Sequence, residues 1–251
     1  MKVLATYNLK GGVGKTAAAV NLGYLAARSG FRTLVCDLDP QGAATYCFRA
    51  KAKVKGGGNQ LLGGDKWSWQ KHIRATDYDG LDLLPSDFSY RHLDILLGKA
   101  KDARRLNRRV RSLADHYDYL FLDCAPSISL VSEAVFFLSD VLVVPTIPTT
   151  LSRRTLKQLA KHLRTRAFDV QVLTFFSMVD NRKLLHREIC EHAEDLPFPV
   201  LRTMIPCSSE VEQMSAKRAP LLTFSQTGAA ARAYVGLWSE IAGLLTGGVP
   251  F

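Results

Sequence analysis

Residues 10–16 read Lys-Gly-Gly-Val-Gly-Lys-Thr, a run in which three glycines stand between two lysines and a threonine follows. Glycines let backbone N–H groups converge on phosphate oxygens, and a helix N-terminus adds a partial positive charge to the same place. Lys15 is placed to reach the terminal phosphates of a nucleotide triphosphate, and the Thr16 hydroxyl to ligate Mg²⁺. The residues placed to bind phosphate are therefore Gly11, Gly12, Val13, Gly14, Lys15 and Thr16. The common pattern G-x-x-x-x-G-K-[ST] fails at its first position, which is Leu9, and a second lysine, Lys10, opens the loop instead.

Two acidic segments complete the chemistry. Val35-Cys36-Asp37-Leu38-Asp39-Pro40-Gln41-Gly42 closes one apolar run, and Tyr119-Leu120-Phe121-Leu122-Asp123 ends another. The carboxyl ends of parallel strands are where ligands bind. A carboxylate there, Asp123, can hold Mg²⁺ or its waters where charge develops on a transferred phosphoryl group. Either segment alone also fits ordinary turn carboxylates at strand ends. Three such segments in one order narrow the reading to nucleotide chemistry.

These loops need strands behind them and helices after them, and the chain supplies both in alternation. The pattern predicts strands over Val3–Thr6, Arg32–Asp37, Leu81–Pro85, Tyr119–Asp123, Val141–Pro145 and Val170–Ser177, with a short one near Val200–Met204. Helices are predicted over 17–29, Arg91–His116, Ser132–Leu138, Ser152–Arg166 and Gly228–Leu245. Such alternation predicts an α/β fold: a mostly parallel twisted sheet with helices on both faces. At 251 residues and 47% hydrophobic content, one domain over residues 1–251 is expected. Residues 50–64, rich in Lys and Gly, read as a surface excursion, and 246–251 as a frayed end.

Met1-Lys2 leads straight into the first strand, so neither a signal peptide nor an N-terminal helix-turn-helix is expected. No apolar run approaches the ~20 residues of a membrane span. The five cysteines form no C-x-x-C pair, and Cys36 and Cys124 fall in buried strands, which points to reduced thiols and a cytoplasmic protein. The net charge of +10 is an argument for a polyanionic partner and not for a fold.

With its paired lysines, the 10–16 loop resembles the deviant Walker A motif of the ParA/MinD family of ATPases. Residues 37–42 are similar to the family's switch I motif D-x-D-P-Q-G, and 123–127 to its Walker B and switch II motif D-x-P-P-S, with Ala125 as a mild departure. Ala17 is another departure, where many relatives carry a second Thr. The missing hydroxyl contact is worth about 1 kcal/mol. The resemblance implies a Mg²⁺-dependent ATPase with weak basal turnover. Asp39 would polarise the attacking water, and Asp37 would support the metal or Lys15. Lys10 would reach across a two-fold interface to the partner's nucleotide, giving an ATP-dependent homodimer. Met178-Val179-Asp180-Asn181-Arg182 is similar to the T-M-Y-D segment of ParA proteins, and Met204-Ile205-Pro206 to T-x-I-P. Met178, Asp180 and Pro206 would then surround the adenine.

ParA relatives grip DNA without sequence preference through scattered basic residues. The matching stretches here point to Arg202, Lys217 and Arg218, while Arg153, Arg154, Lys161, Arg164 and Arg166 read as a solvated helix face. A second basic stripe, Lys101, Arg104, Arg105, Arg108 and Arg111, is explained by an amphipathic surface helix. The implied biology is a nucleoid-associated ATPase that positions DNA or other cargo and is stimulated by a ParB-like or cargo-adaptor protein. The alternative within the family, a MinD-like membrane switch, calls for a basic amphipathic terminal helix, whereas 244–251 carry no Lys or Arg. A redox ATPase like the nitrogenase iron protein would need two bridging cysteines, which the sequence does not offer in suitable loops. The related amidoligases would need a substrate pocket.

Overall fold

The computed structural model describes residues 1–62, 69–100 and 104–247. Gly63, Gly64 and Lys101, together with the last four residues of the expected frayed end, lie outside the described residues. The elements in chain order are β1 (Lys2–Thr6), α1 (Lys15–Arg28), β2 (Thr33–Asp37), α2 (Ala43–Cys47), α3 (Gly58–Leu62), β3 (Arg74–Ala75), β4 (Leu81–Leu84), α4 (Leu93–Ala100), α5 (Arg104–Arg111) and β5 (Tyr119–Asp123). They continue as α6 (Leu130–Leu138), β6 (Val141–Thr146), α7 (Thr150–Thr165), β7 (Gln171–Phe176), α8 (Leu184–Glu191), α9 (Ser209–Lys217) and α10 (Ala229–Leu245).

The seven strands form one sheet in the order β3-β4-β2-β5-β1-β6-β7. All pairings are parallel except β3–β4, a two-residue antiparallel edge that carries no hydrophobic pattern. Successive strand residues point to opposite faces, and both faces are covered. Val3, Ala5, Leu34, Cys36, Leu120, Leu122, Leu142 and Val144 pack with side chains of α4, α5, α6 and α7. Leu4, Val35, Phe121, Val141, Val143 and Leu173 pack with α1, α2, α9 and α10. Central strands buried on both faces explain why they read as continuous apolar runs.

Differences from the sequence reading have local causes. The helix expected over 91–116 is seen as α4 and α5, and after Arg111 the chain tightens into i→i+3 hydrogen bonds at Leu113, Ala114 and His116. No strand forms over 200–204. Only Val200 bridges to Thr174, because the Glu240 carboxylate takes the Arg202 and Thr203 amides that a neighbouring strand would use. The helices α8 and α9 were not anticipated, since short helices at a polar surface give little apolar periodicity. The caps of α6 (Ser129) and α7 (Thr149) set their starts two residues before the apolar pattern does.

Close approach of α1 to the sheet depends on Gly23, where an added Cβ would sit 2.6 Å from Val35 Cγ2. Val35 is β-branched and cannot swing away cheaply. Gly23→Ala should therefore lower stability by about 1–3 kcal/mol in chemical denaturation, and adding Val35→Ala should recover part of the loss.

Candidate functional site

Parallel pairing sets the site. In the ladder Thr6 is opposite Asp123, and Asp123 is opposite Asp37, so three strands end at one level on the carboxyl edge of the sheet. The glycine loop leaves β1 and folds over that edge. Asn8 ties it down: its Nδ2 donates to the Pro145 carbonyl at 2.8 Å, and its Oδ1 accepts from the Lys10 amide at 2.9 Å. The Ser177 hydroxyl, at the end of β7, donates to the Val13 carbonyl at 2.7 Å. Gly12 and Gly14 have φ of +69° and +94°, conformations that side-chain-bearing residues rarely adopt. A Cβ on Gly11, Gly12 or Gly14 would meet nothing within 4 Å, so the loop encloses open space.

The first turn of α1 faces that space. Its N-cap is Gly14, no side chain caps it, and no acid lies in the turn. Its N–H groups are thus left for an anionic ligand. Lys15 is buried, and its ammonium donates to the Lys10 carbonyl at 3.1 Å. Burial holds its pKa below the usual lysine range, while Asp123, Cys124 and Asp39 act in the opposite sense. No ion pair or hydrogen bond of the Lys10 ammonium is found among the described residues, and the residue is half-buried at the start of the loop.

Asp37 and Asp123 are both fully buried. Asp37 Oδ2 accepts from the Thr45 amide and hydroxyl, each at 2.7 Å, and Oδ1 accepts from the Asp39 amide at 3.2 Å. Burial pushes the Asp37 carboxyl up to about 6 against the pull of these donors. Three donors thus tie Asp37 to the loop it organises, two on Oδ2 and one on Oδ1, so Oδ1 keeps a free acceptor position. Asp123 is different. Thr6 Oγ1 lies 3.4 Å from its Oδ1, and its Oδ2 is buried with no hydrogen-bond partner. Burial and the neighbouring Asp37 charge drive its carboxyl well above the ordinary range, whereas Thr16 and Lys15 act to lower it. A buried oxygen of this kind is satisfied by taking up a proton or a cation. Asp39 is half-buried, with Oδ1 accepting from the Gln41 amide at 2.9 Å.

A cavity of about 580 Å³ adjoins the loop, walled by Thr16, Ala17, Gly42, Tyr46, Met178 and Met214 among others. Its size and apolar walls suit a base and sugar. The structure brings the two segments expected to hold the adenine together, since Val179 bridges to Pro206. Met178, with φ of +53°, lines the cavity, but Asp180 and Pro206 do not. The Asp180 carboxylate is instead closed on Arg182 at 2.9 and 3.0 Å, and that guanidinium holds its pKa down at about 2. Arg218 lies against the protein surface. In the left-handed conformation at the end of α9, it turns back onto the protein, 4.4 Å from the Tyr46 ring, with Nε donating to the Tyr46 carbonyl. One of its five donors is thus engaged within the protein, whereas Lys217 and Arg202 are exposed. Sequence reasoning missed Asn8, Thr45 and Ser177. Only Asn8, directly before the loop, carried a visible signal, that of an Asx turn.

Comparison with known proteins agrees with this geometry. A family model described as an AAA domain matches residues 1–170. The sporulation initiation inhibitor protein Soj of Bacillus subtilis is 31% identical over 251 residues, covering 96% of this chain and 98% of Soj. The chain belongs to the ParA/MinD family of P-loop ATPases. The chromosome partitioning protein ParA of Caulobacter vibrioides is 28% identical, covering 96% of this chain and 94% of that one. In fold, cobyrinic acid a,c-diamide synthase from Mycobacterium smegmatis with bound ADP and magnesium superposes with a TM-score of 0.84 at 24% identity, covering 100% of this chain and 97% of the other.

As a member of this family the protein hydrolyses ATP, and ATP and Mg²⁺ are its cofactors. The residues fit them: the open glycine cradle and uncapped α1 suit the phosphates, and the orphaned Asp123 oxygen beside Thr16 suits the metal. Thr16 and Asp123 would hold Mg²⁺, which supplies neutralisation of charge on the phosphate oxygens. Lys15 would neutralise the terminal phosphates in a site that excludes water from its floor. Accordingly, ATP should raise the melting temperature of the protein more with Mg²⁺ than with EDTA. In Asp123→Asn the two ATP-induced shifts should coincide, and a Mg²⁺-dependent difference in that variant would remove Asp123 from the metal site.

Proposed function

We propose that this ATPase forms an ATP-dependent sandwich dimer, binds DNA without sequence preference, and hydrolyses ATP slowly until an activating partner speeds it. In this way it would segregate or position DNA or another cargo. The observation that carries the reading is Lys10. Its carbonyl is committed to Lys15, while the residue is half-buried at the start of the loop and no partner of its ammonium is found among the described residues. A cation so placed can serve a phosphate that this copy does not itself hold, and two triphosphates facing each other would repel without it. The partitioning relatives support the cargo role, and the activator would be a ParB-like or cargo-adaptor protein. A nucleoid location in the cytoplasm follows from DNA binding.

The helix α7 supports the DNA contact more strongly than the sequence suggested. It carries no acidic residue. Arg153 pairs with Asp195, and Arg166, just beyond the helix, pairs with Glu133. Arg154, Lys157, Lys161 and Arg164 are exposed, three or four residues apart on one face, and no ion pair is found for them among the described residues. From Arg154 to Arg164 the helix rises about 15 Å, which matches four to five phosphates at roughly 3.4 Å per nucleotide along one strand. Lys217 and Arg202 remain secondary contacts.

A membrane role finds less support. Among the described residues no helix is long and apolar enough to cross a membrane. The apolar face of α10, with Tyr234, Leu237, Trp238 and Ile241, is buried in the core and so is not free to enter lipid.

Lys10→Ala should bind ATP as a monomer but fail to dimerise with a non-hydrolysable analogue in light scattering; normal dimerisation would refute the cross-interface role. Lys157→Glu with Lys161→Glu should weaken ATP-dependent mobility shifts of random-sequence DNA. It should also flatten the log–log salt dependence by about 2 per copy. The charge-matched control, Lys71→Glu with Arg111→Glu, should retain the wild-type slope.

A further inference from the structure

Two buried hydroxyls, neither of them in a recognised motif, join the Asp37 carboxylate and the backbone of Asp39 into a closed ring. Thr45 Oγ1 gives its proton to Asp37 Oδ2 at 2.7 Å and accepts from the Ser86 amide at 2.8 Å. Ser86 Oγ donates to the Asp39 carbonyl at 2.5 Å, and the Asp39 amide returns to Asp37 Oδ1 at 3.2 Å. Asp37, Thr45 and Ser86 are each 0% exposed. The ring links the end of β2, the short helix α2 and the segment leaving β4, which pairs directly with β2.

The ring holds residue 39 by its backbone. Its amide is fixed by Asp37, and its carbonyl accepts from both Ser86 Oγ and the Gly42 amide. The Asp39 carboxylate itself is half-buried, and its recorded protein contact is the Gln41 amide two residues on. Its direction is therefore set by where the main chain at 39 is held. The groups expected to bind phosphate lie on other elements, the β1–α1 loop and α1, and no hydrogen bond from them to Thr45 or Ser86 is found among the described residues.

We propose that Thr45 and Ser86 are positioning residues for hydrolysis, acting through the backbone of Asp39 to aim its carboxylate at the attacking water. This rests on Asp39 as the group that polarises that water. Misplacement of a catalytic group by about 1 Å costs on the order of 100-fold in rate. Loss of either hydroxyl should therefore slow the chemical step and leave ATP binding in place.

The test is single-turnover hydrolysis of radiolabelled ATP with Mg²⁺, alongside titration with a fluorescent ATP analogue. Thr45→Val, which keeps the shape and removes the hydroxyl, should slow hydrolysis by roughly 10- to 100-fold with analogue affinity unchanged. Thr45→Ser, which keeps the hydroxyl, should restore most of the rate. Ser86→Ala should match Thr45→Val, and the double variant should be no slower than the slower single, because one ring is broken in either case. Should Thr45→Val fail to fold, Ser86→Ala decides alone. Full-rate hydrolysis in these variants, with Asp39→Ala inactive, overturns the positioning role alone. So does a rate loss that tracks a loss of analogue affinity and is not restored by Ser. Rapid hydrolysis by Asp39→Ala overturns the catalytic assignment of Asp39 and the positioning role with it.

Discussion

Two like charges placed side by side in a dry sheet edge constrain the rest of the site. Asp37 and Asp123 are partners in the β2–β5 ladder and neither is exposed, so burial pushes both carboxyls upward, with the Asp39 charge adding to this at Asp37 and the Asp37 charge at Asp123. The structure relieves them unequally. Asp37 receives three donors from its own loop and from Thr45, while one Asp123 oxygen receives none. One carboxylate is thereby anchored within the protein, and the other keeps an oxygen without a hydrogen-bond partner among the described residues. Lys15 lies close enough to both the loop and Asp123 to couple the phosphate side of the site to the metal side.

This arrangement requires parallel strands. Only a parallel ladder brings the carboxyl ends of β1, β2 and β5 to one edge, and only helical crossovers on both faces can connect such strands. The glycine loop, switch I and the Walker B aspartate each start a crossover at the end of a parallel strand, so strand order alone brings them to one edge. The close seat of α1 at Gly23 brings the uncapped helix end over the sheet. The same rule places α7 directly after β6, with its apolar side in the core and its basic side in solvent.

Much of the fold was legible because the central strands are apolar throughout and the glycine loop marks its own boundaries. The six parallel strands and five principal helices were located within a few residues, with the long helix before β5 divided in two. The edge strand β3, the helices α8 and α9 and the absence of a strand at 200–204 were not legible. Each depends on surface hydrogen bonds, such as Glu240 to the Arg202 and Thr203 amides, that leave no periodic trace. In the site, the loop, Asp39 and Asp123 were readable as residue types at strand ends. The committed state of Asp37, Asp180 and Arg218 was not, because a side chain's partner is a tertiary fact.

The sequence alone determined the family, the phosphate loop with its extra lysine, and the order of the motifs, since these are local patterns of residue type and spacing. Tertiary structure decided which carboxylate is satisfied and which is left open, which basic residues are paired and which are free, and how Thr45 and Ser86 meet across three elements. Those outcomes turn on distances of a few ångströms between residues up to 172 positions apart in the chain, and burial makes such distances decisive by removing the water that would otherwise satisfy each group.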